Sequence, residues 1–195
     1  MLTRLKRWRD QRQKARSLYG SIVTQARSRN LYAHWGVPDT AEGRFEMIAL
    51  HLVLVLHRLA DLDGPGYRLG QALAEAFVAD LDDALREMTV GDLAVPRQVK
   101  RAVAALYDRY ATYRAAFAAA SDAPLATAIQ VRLGGAGAIR GLDVRQICGY
   151  IRQAKRHLDL VPGIEVLAGR VAWPQIDALN VTGGRSRDEG GEHAR

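Results

Sequence analysis

The chain has 195 residues, of which 48% are apolar and 25% charged, the size and composition of one ordinary globular domain. Two full domains and extensive disorder away from the ends are thereby excluded. The net charge of +7 suggests an anionic partner, nucleic acid or a lipid surface. Its placement is uneven: residues 1–30 carry nine basic side chains and one acid, whereas the other 165 residues carry 19 and 20. The basicity belongs to an N-terminal arm. Cys148 stands alone, so no intrachain disulfide or Cys-x-x-Cys pair exists and a reduced, intracellular compartment is expected. Met47–Leu56, the most apolar run, is interrupted by His51 and is about half the length a membrane span needs. No apolar stretch follows the basic start, so a secretory signal is not expected. An excess of arginine (24) over lysine (4), with abundant alanine, points to a GC-rich bacterial genome.

Helical periodicity recurs along the chain and strand alternation does not. Leu18, Tyr19, Ile22, Val23 and Ala26 keep i, i+3, i+4, i+7 spacing, so the arm is expected to run into a first helix. A second helix is expected to open on Asp39 as N-cap, after Pro38, with Glu42 completing a capping-box-like pair. Phe45, Ile48, Leu52, Val55, Leu56 and Leu59 mark one face, and Met47, Leu50, Val53 and Leu54 cover most of the remainder. A helix apolar nearly all round is central and buried. Arg44, His51 and Arg58, seven residues apart, form its one polar stripe. Asp63-Gly64-Pro65-Gly66 reads as the stop of this helix.

A third helix is expected from about Tyr67, with Leu69, Leu73, Phe77, Leu81 and Leu85 inward and Glu75, Asp82, Asp83, Arg86 and Glu87 outward. Gly91-Asp92 marks a turn, and Pro96 suits the first turn of a fourth helix. Val99, Val103, Leu106, Tyr110, Tyr113 and Phe117 form its expected buried face, with Tyr107 in the same aromatic run. Ser121–Leu133 suggests a fifth helix before the glycine-rich loop at 134–137. Asp143 is the expected cap of a sixth, with Val144, Ile147, Ile151, Ala154 and Leu158 inward. The resulting expectation is an all-α fold, one compact domain of about six to seven helices. Residues 1–16 form the basic arm, 17–175 the helical domain and 176–195 a loose polar tail.

Catalytic templates do not fit. The glycines at 134, 135, 137 and 141 do not complete G-x-G-x-x-G, and G-x-x-x-x-G-K-S/T, H-E-x-x-H and G-x-S-x-G are all missing. Cys148 reads as a small buried thiol rather than a partner of His157. Asp80, Asp82, Asp83 and Glu87 read as a solvated acidic face, lacking the i, i+3 Glu/His pair of helical metal sites. His51 and His57 are six residues apart and cannot share one metal, which favours histidines satisfied within a polar seam. No cofactor and no metal are expected. The stripe Arg44–His51–Arg58 has two readings: an ion-pair seam with the acids of the third helix, or the polar floor of a groove for an apolar peptide. The arm, with Arg4, Lys6, Arg7, Arg9, Arg12, Lys14 and Arg16, can neutralise phosphates without reading sequence. With Leu2, Leu5, Trp8 and Leu18 it can equally lie on an anionic membrane. Both readings stand here, and a generic RNA- or anionic-membrane-binding helical module is the alternative function.

The segments LYGSIVTQAR (18–27), LYAHWGVPDTAEGRFEMIALHLVLVLHRL (31–59) and FVADLDDALREMTVGDLAVPRQVK (77–100) resemble the ubiquinol–cytochrome c chaperone family. The ordered set of VPDT, GRFE, the Leu-His of the second helix and LREM-x-VGD carries the resemblance over about a hundred residues. Thr89 departs from it, standing where the family favours glycine. The long import sequence of mitochondrial members is not seen, which favours a bacterial member. The resemblance implies a non-enzymatic factor for cytochrome bc complex assembly that holds newly made cytochrome b. Mitochondrial members associate with a small partner protein and with the ribosome near its exit tunnel. Carried onto this chain, the family motif covers Asp39, Gly43, Arg44, His51, Asp82, Arg86, Glu87 and Asp92. The expectation that follows is a cytoplasmic protein peripheral to the inner membrane. Client would contact Arg44, His51, Arg58, Asp82, Arg86 and Glu87, and the arm, Trp8 included, would dock on the ribosome or the anionic membrane surface.

Overall fold

A computed structural model describes residues 2–87, 95–134 and 141–176, all helix and connections. Among them are eight helices: α1 (Leu2–Ala26), α2 (Arg29–Ala33), α3 (Ala41–Ala60), α4 (Asp63–Glu87), α5 (Val95–Ala118), α6 (Ala123–Gly134), α7 (Val144–Leu160) and α8 (Gly163–Leu167). The six long helices are those the periodicity indicates. The five-residue α2 and α8 are shorter than two turns and leave no periodic signal to read. No described helix is long and apolar enough to cross a membrane.

The organising element is α3. From Ala49 to Val55 every residue is buried, two turns with no solvent-facing side. Helices α1, α4, α5, α6 and α7 all pack against it. Each leucine enclosed there contributes about 1.5–3 kcal/mol through removal from water. Leu18 and Ile22 of α1, Leu73 and Phe77 of α4, Tyr113 of α5, Leu125 and Ile129 of α6, and Ile147 and Ile151 of α7 join the same core.

Three local expectations are corrected. The N-cap of α3 is Thr40, whose hydroxyl accepts a hydrogen bond from the Gly43 N–H at 3.1 Å. Asp39 lies one residue outside, its carboxylate engaged at 2.7 Å by Arg44. The capping-box reading fails with it, because the N3 position is then Gly43 rather than Glu42. Asp63-Gly64-Pro65-Gly66 does not trail α3 but opens α4, since α3 ends at Ala60 and the break spans only Asp61 and Leu62. Asp63 adopts a left-handed φ of 52°, and Pro65 falls in the first turn, where its missing N–H is not needed. Finally, the fourth periodic face is only half buried. Tyr113 and Phe117 are in the core, but Tyr107 is exposed and Val99 and Val103 are partly so.

Asp143 caps α7 as its position suggests, accepting from the Gln146 N–H at 2.9 Å. The N-terminal helix is continuous, with Ala15 and Leu18 buried while Lys6–Asp10 is exposed. Gly169, at φ +83°, lies against the Lys14 backbone; an added Cβ would stand 2.8 Å from the Lys14 carbonyl oxygen. Ile176 is buried, so the chain is anchored up to that point. Asp92, Thr89, the loop 135–140 and the tail from 177 lie outside the described residues.

Gly43 packs against the turn before α3 so closely that a Cβ would stand 2.0 Å from the Pro38 carbonyl oxygen. The backbone itself would have to move to admit a methyl group. Gly43→Ala is therefore expected to destabilise the fold by about 1–3 kcal/mol, and Leu52→Ala by about 2–5 kcal/mol. Urea unfolding midpoints of the two variants check both values; an unaltered Gly43→Ala would refute the close approach.

Candidate functional site

The polar stripe of α3 divides among three environments. Arg44 is exposed at the first turn and paired with Asp39, whose carboxyl the guanidinium holds below the usual range. His51 is fully buried, its Nδ1 2.7 Å from the Met47 carbonyl oxygen and its Nε2 2.6 Å from the Tyr150 hydroxyl. A carbonyl only accepts, so Nδ1 carries the proton and Nε2 accepts from Tyr150. The Tyr150 oxygen in turn accepts from Gln25 Nε2 at 3.0 Å, and the same amide donates to the Pro174 carbonyl at 3.2 Å. Trp173 closes the pocket edge-on, 5.2 Å from the imidazole, with its N–H donated to Ser21 at 2.9 Å. Burial pulls the imidazole down to about 4 against its ordinary 6.5, so it is neutral at physiological pH.

Arg58 donates to the carbonyls of Leu158 (3.0 Å) and Val161 (2.9 Å). It places a cation on carbonyls at the end of α7, the favourable end of the helix dipole; the Leu158 carbonyl also accepts from the Val161 N–H at 3.2 Å. The seam expected between this stripe and the acids of α4 is thus not formed. His51 and Arg58 face α7, and the α4 acids bond elsewhere: Asp80 accepts from Tyr19 of α1 at 2.8 Å, and Asp82 pairs with Arg86 at 2.8 Å. Nor does the stripe floor an open groove, because His51 is enclosed and Arg58 is only partly exposed. Glu87 is exposed at the last residue of α4, the helix that also carries Asp82 and Arg86.

A buried polar cluster escaped the sequence reading. Glu46, 1% exposed, accepts from Arg109 Nε at 2.6 Å and from the Tyr113 hydroxyl at 2.7 Å. Arg109 also lies over the Phe45 ring at 5.0 Å, which fastens α5 to α3. The available signal was an acid set between Phe45 and Met47 in a helix apolar nearly all round. Similarly, Arg152 of α7 donates to the carbonyls of Ala116, Phe117 and Ser121 and pairs with Asp122, closing the end of α5.

The reactive groups weighed for chemistry are separate. Cys148 is buried, and burial pushes its thiol up to about 11, opposing a thiolate. His57, half-buried against the Phe117 edge at 5.7 Å, is lowered by burial first and by Lys155 second. Among the described residues no three His, Cys, Asp or Glu side chains come together to hold a metal.

Two open surfaces stand out among the described residues. Lys6, Arg7, Arg9, Arg12 and Arg16 of α1 are exposed, with Lys14 half-buried and paired to Asp10 at 2.7 Å. Trp8 is 51% exposed, with the Arg12 guanidinium 4.1 Å above its ring. The second is an apolar groove of about 780 Å³ between α4 and α5, floored by Leu56 and Leu59 of α3. Of the six residues assigned to client, only Asp82 lines it.

A family model described as ubiquinol-cytochrome C chaperone matches residues 33–173. Among solved structures, the chain is similar to one described as the crystal structure of the Cbp3 homolog from Brucella abortus. The two share 30% identity and a TM-score of 0.76, over 91% of this chain and 98% of that one. No curated protein matches.

The His51–Tyr150 pair yields two expectations. Tyr150→Phe strands the buried Nε2 and should cost about 1–3 kcal/mol of stability. The folded state binds fewer protons at His51 than the unfolded chain does. The associated stability is therefore complete above pH 6.5 and is lost as pH falls toward about 4, in total on the order of 3 kcal/mol. Denaturation midpoints between pH 7 and 4.5 should show this slope in the wild type and most of it gone in His51→Gln. An equal slope in both would exclude His51 as its source.

Proposed function

The chain belongs to the ubiquinol–cytochrome c chaperone family, and from that premise we propose that it is a non-enzymatic chaperone that binds newly made cytochrome b and promotes assembly of the cytochrome bc complex. The observation that carries this reading is the family match over 33–173, which spans α3 to α8 and reaches the Trp173 contact on His51. The arrangement of the side chains is in keeping with it. The buried Glu46, His51 and Tyr113 fix helices to one another, and a cationic helix end and an apolar groove stand open, surfaces for holding rather than converting a partner.

Within this reading His51 and Arg58 act from inside, fixing α7 on α3. Arg44, Arg86 and Glu87 are exposed and Asp82 is partly so, and client contact falls to these four, Arg58 being engaged by α7. The exposed cations of α1 support a second element, docking of the arm on the ribosome near the exit tunnel or on the anionic inner-membrane surface. Both are polyanionic, and attraction to either falls steeply with salt.

The test is quantitative capture from detergent-solubilised membranes by the tagged full chain. Cytochrome b should be enriched over unrelated membrane proteins, and deletion of this chain should lower assembled cytochrome bc complex selectively. Equal recovery of unrelated membrane proteins would reject the chaperone assignment. Removing residues 1–12, which spares Ala15 and the Lys14–Gly169 contact, should abolish salt-sensitive co-sedimentation with ribosomes or anionic vesicles and leave the melting temperature within about 2 °C. Undiminished co-sedimentation would remove the arm from the docking role.

A further inference from the structure

The groove between α4 and α5 has a composition that specifies its occupant. On α4 it follows one stripe from Gly66 to Asp82, about 24 Å of helix, room for an approaching helix of similar length. Gly66 lets α4 press onto the Leu59 carbonyl, Gly70 and Ala74 keep that wall low, and Leu56, Leu59 and Leu106 make an apolar bottom. Tyr67 and Tyr107, 74% and 72% exposed, stand on the rims. Large aromatic rings left in water beside an apolar trough are the usual anchors of an amphipathic helix laid in a groove.

The charges are one-sided. Among the described residues Glu75 and Asp82 line the groove and no lysine or arginine does; the α5 cations Arg97, Lys100 and Arg101 are exposed but outside the lining. The two acids are seven residues apart, so they sit above one another two turns apart, about 10 Å. Glu75 accepts only a long 3.5 Å bond from Gln71 among the described residues, and Asp82 keeps a third of its side chain exposed while paired with Arg86. Along the lining itself an anionic ligand would meet these two carboxylates. A helix apolar on one face with lysine or arginine beside it would bury its face and pair its cations.

We infer that the α4–α5 groove is the docking site for a basic, apolar helix, with Leu56, Leu59 and Leu106 taking the apolar face and Glu75 and Asp82 its cations. That composition belongs to the cytoplasmic end of a membrane-spanning helix, where apolar residues give way to lysine and arginine. The inference rests on the proposed client reading, to which it adds the segment of the client that is held and where on the chaperone it is held.

The probes are two labelled leucine/alanine peptides of about 18 residues, one bearing two lysines seven positions apart and its twin bearing glutamates there. Anisotropy at low salt with the full chain should show the lysine peptide binding about tenfold tighter than its twin. Glu75→Lys, an exposed substitution, should erase or invert that preference without changing the melting temperature. Ala74→Trp should fill the groove and weaken both peptides. Equal binding of the twins, no binding of either, or a preference surviving Glu75→Lys overturns the inference. Cytochrome b capture measured in parallel separates the two readings. If cytochrome b is captured equally by wild type and Glu75→Lys while the peptide preference is missing, the groove assignment fails and the chaperone reading stands. A peptide preference erased by Glu75→Lys, with no cytochrome b captured by wild type, leaves the groove in place and rejects the chaperone reading.

Discussion

Everything in this molecule depends on a helix with no wet side. Over Ala49–Val55, α3 is enclosed by its neighbours, so Glu46 and His51, buried on and beside that stretch, draw partners from other helices in place of water. Glu46 is satisfied by Arg109 and Tyr113 of α5, and His51 by its own helix and by Tyr150 of α7. Each of these groups would carry a large penalty unpaired, so the bonds fix which residue of α5 and which of α7 lies opposite α3. Apolar packing alone tolerates sliding by a turn; a buried imidazole with one acceptor to fill does not.

The same bonds explain where the surface stays open. Helix α5 is tied to α3 through its second half, by Arg109, Tyr113 and Phe117, and its end is closed by Arg152. Its first half has no such tie to α3 among the described residues. There Val99 and Val103 remain partly exposed and the groove with α4 opens. Helix α4 faces two ways from neighbouring positions: Asp80 bonds to α1 through Tyr19, and Asp82 lines the groove. The charge asymmetry of the chain becomes two surfaces of opposite sign, cations on the projecting turns of α1 and acids along α4.

Most of the helices were legible because amphipathic periodicity is a local property. The long helices and the central role of α3 follow from spacing and from an apolar run too wide for one face. Capping was legible only in part. Asp143 is an N-cap and Asp39 is not, although both are acids just ahead of an apolar helix; Arg44 engages Asp39, and Thr40 takes the position. Partners were illegible. The stripe Arg44–His51–Arg58 is real as a stripe, but nothing local says that α7 rather than α4 would come to lie on it. The acids of α4 are nearer in sequence and opposite in charge, yet Tyr150, Leu158 and Val161, a hundred residues away, are what His51 and Arg58 meet.

The sequence by itself determined an all-α chain, a buried central helix, a cationic start and, through the ordered VPDT, GRFE and LREM-x-VGD motifs, the family. Those depend on residue order and short-range spacing. Only the tertiary structure decided that His51 and Arg58 are internal fastenings, that Glu46 is a buried carboxylate held by α5, that Gly43 is required by the Pro38 carbonyl, and that an open apolar groove lies between α4 and α5. The reason is physical: burial and hydrogen-bond partnership are set by which helices meet. Helices meet to enclose α3, through contacts that no window of sequence contains.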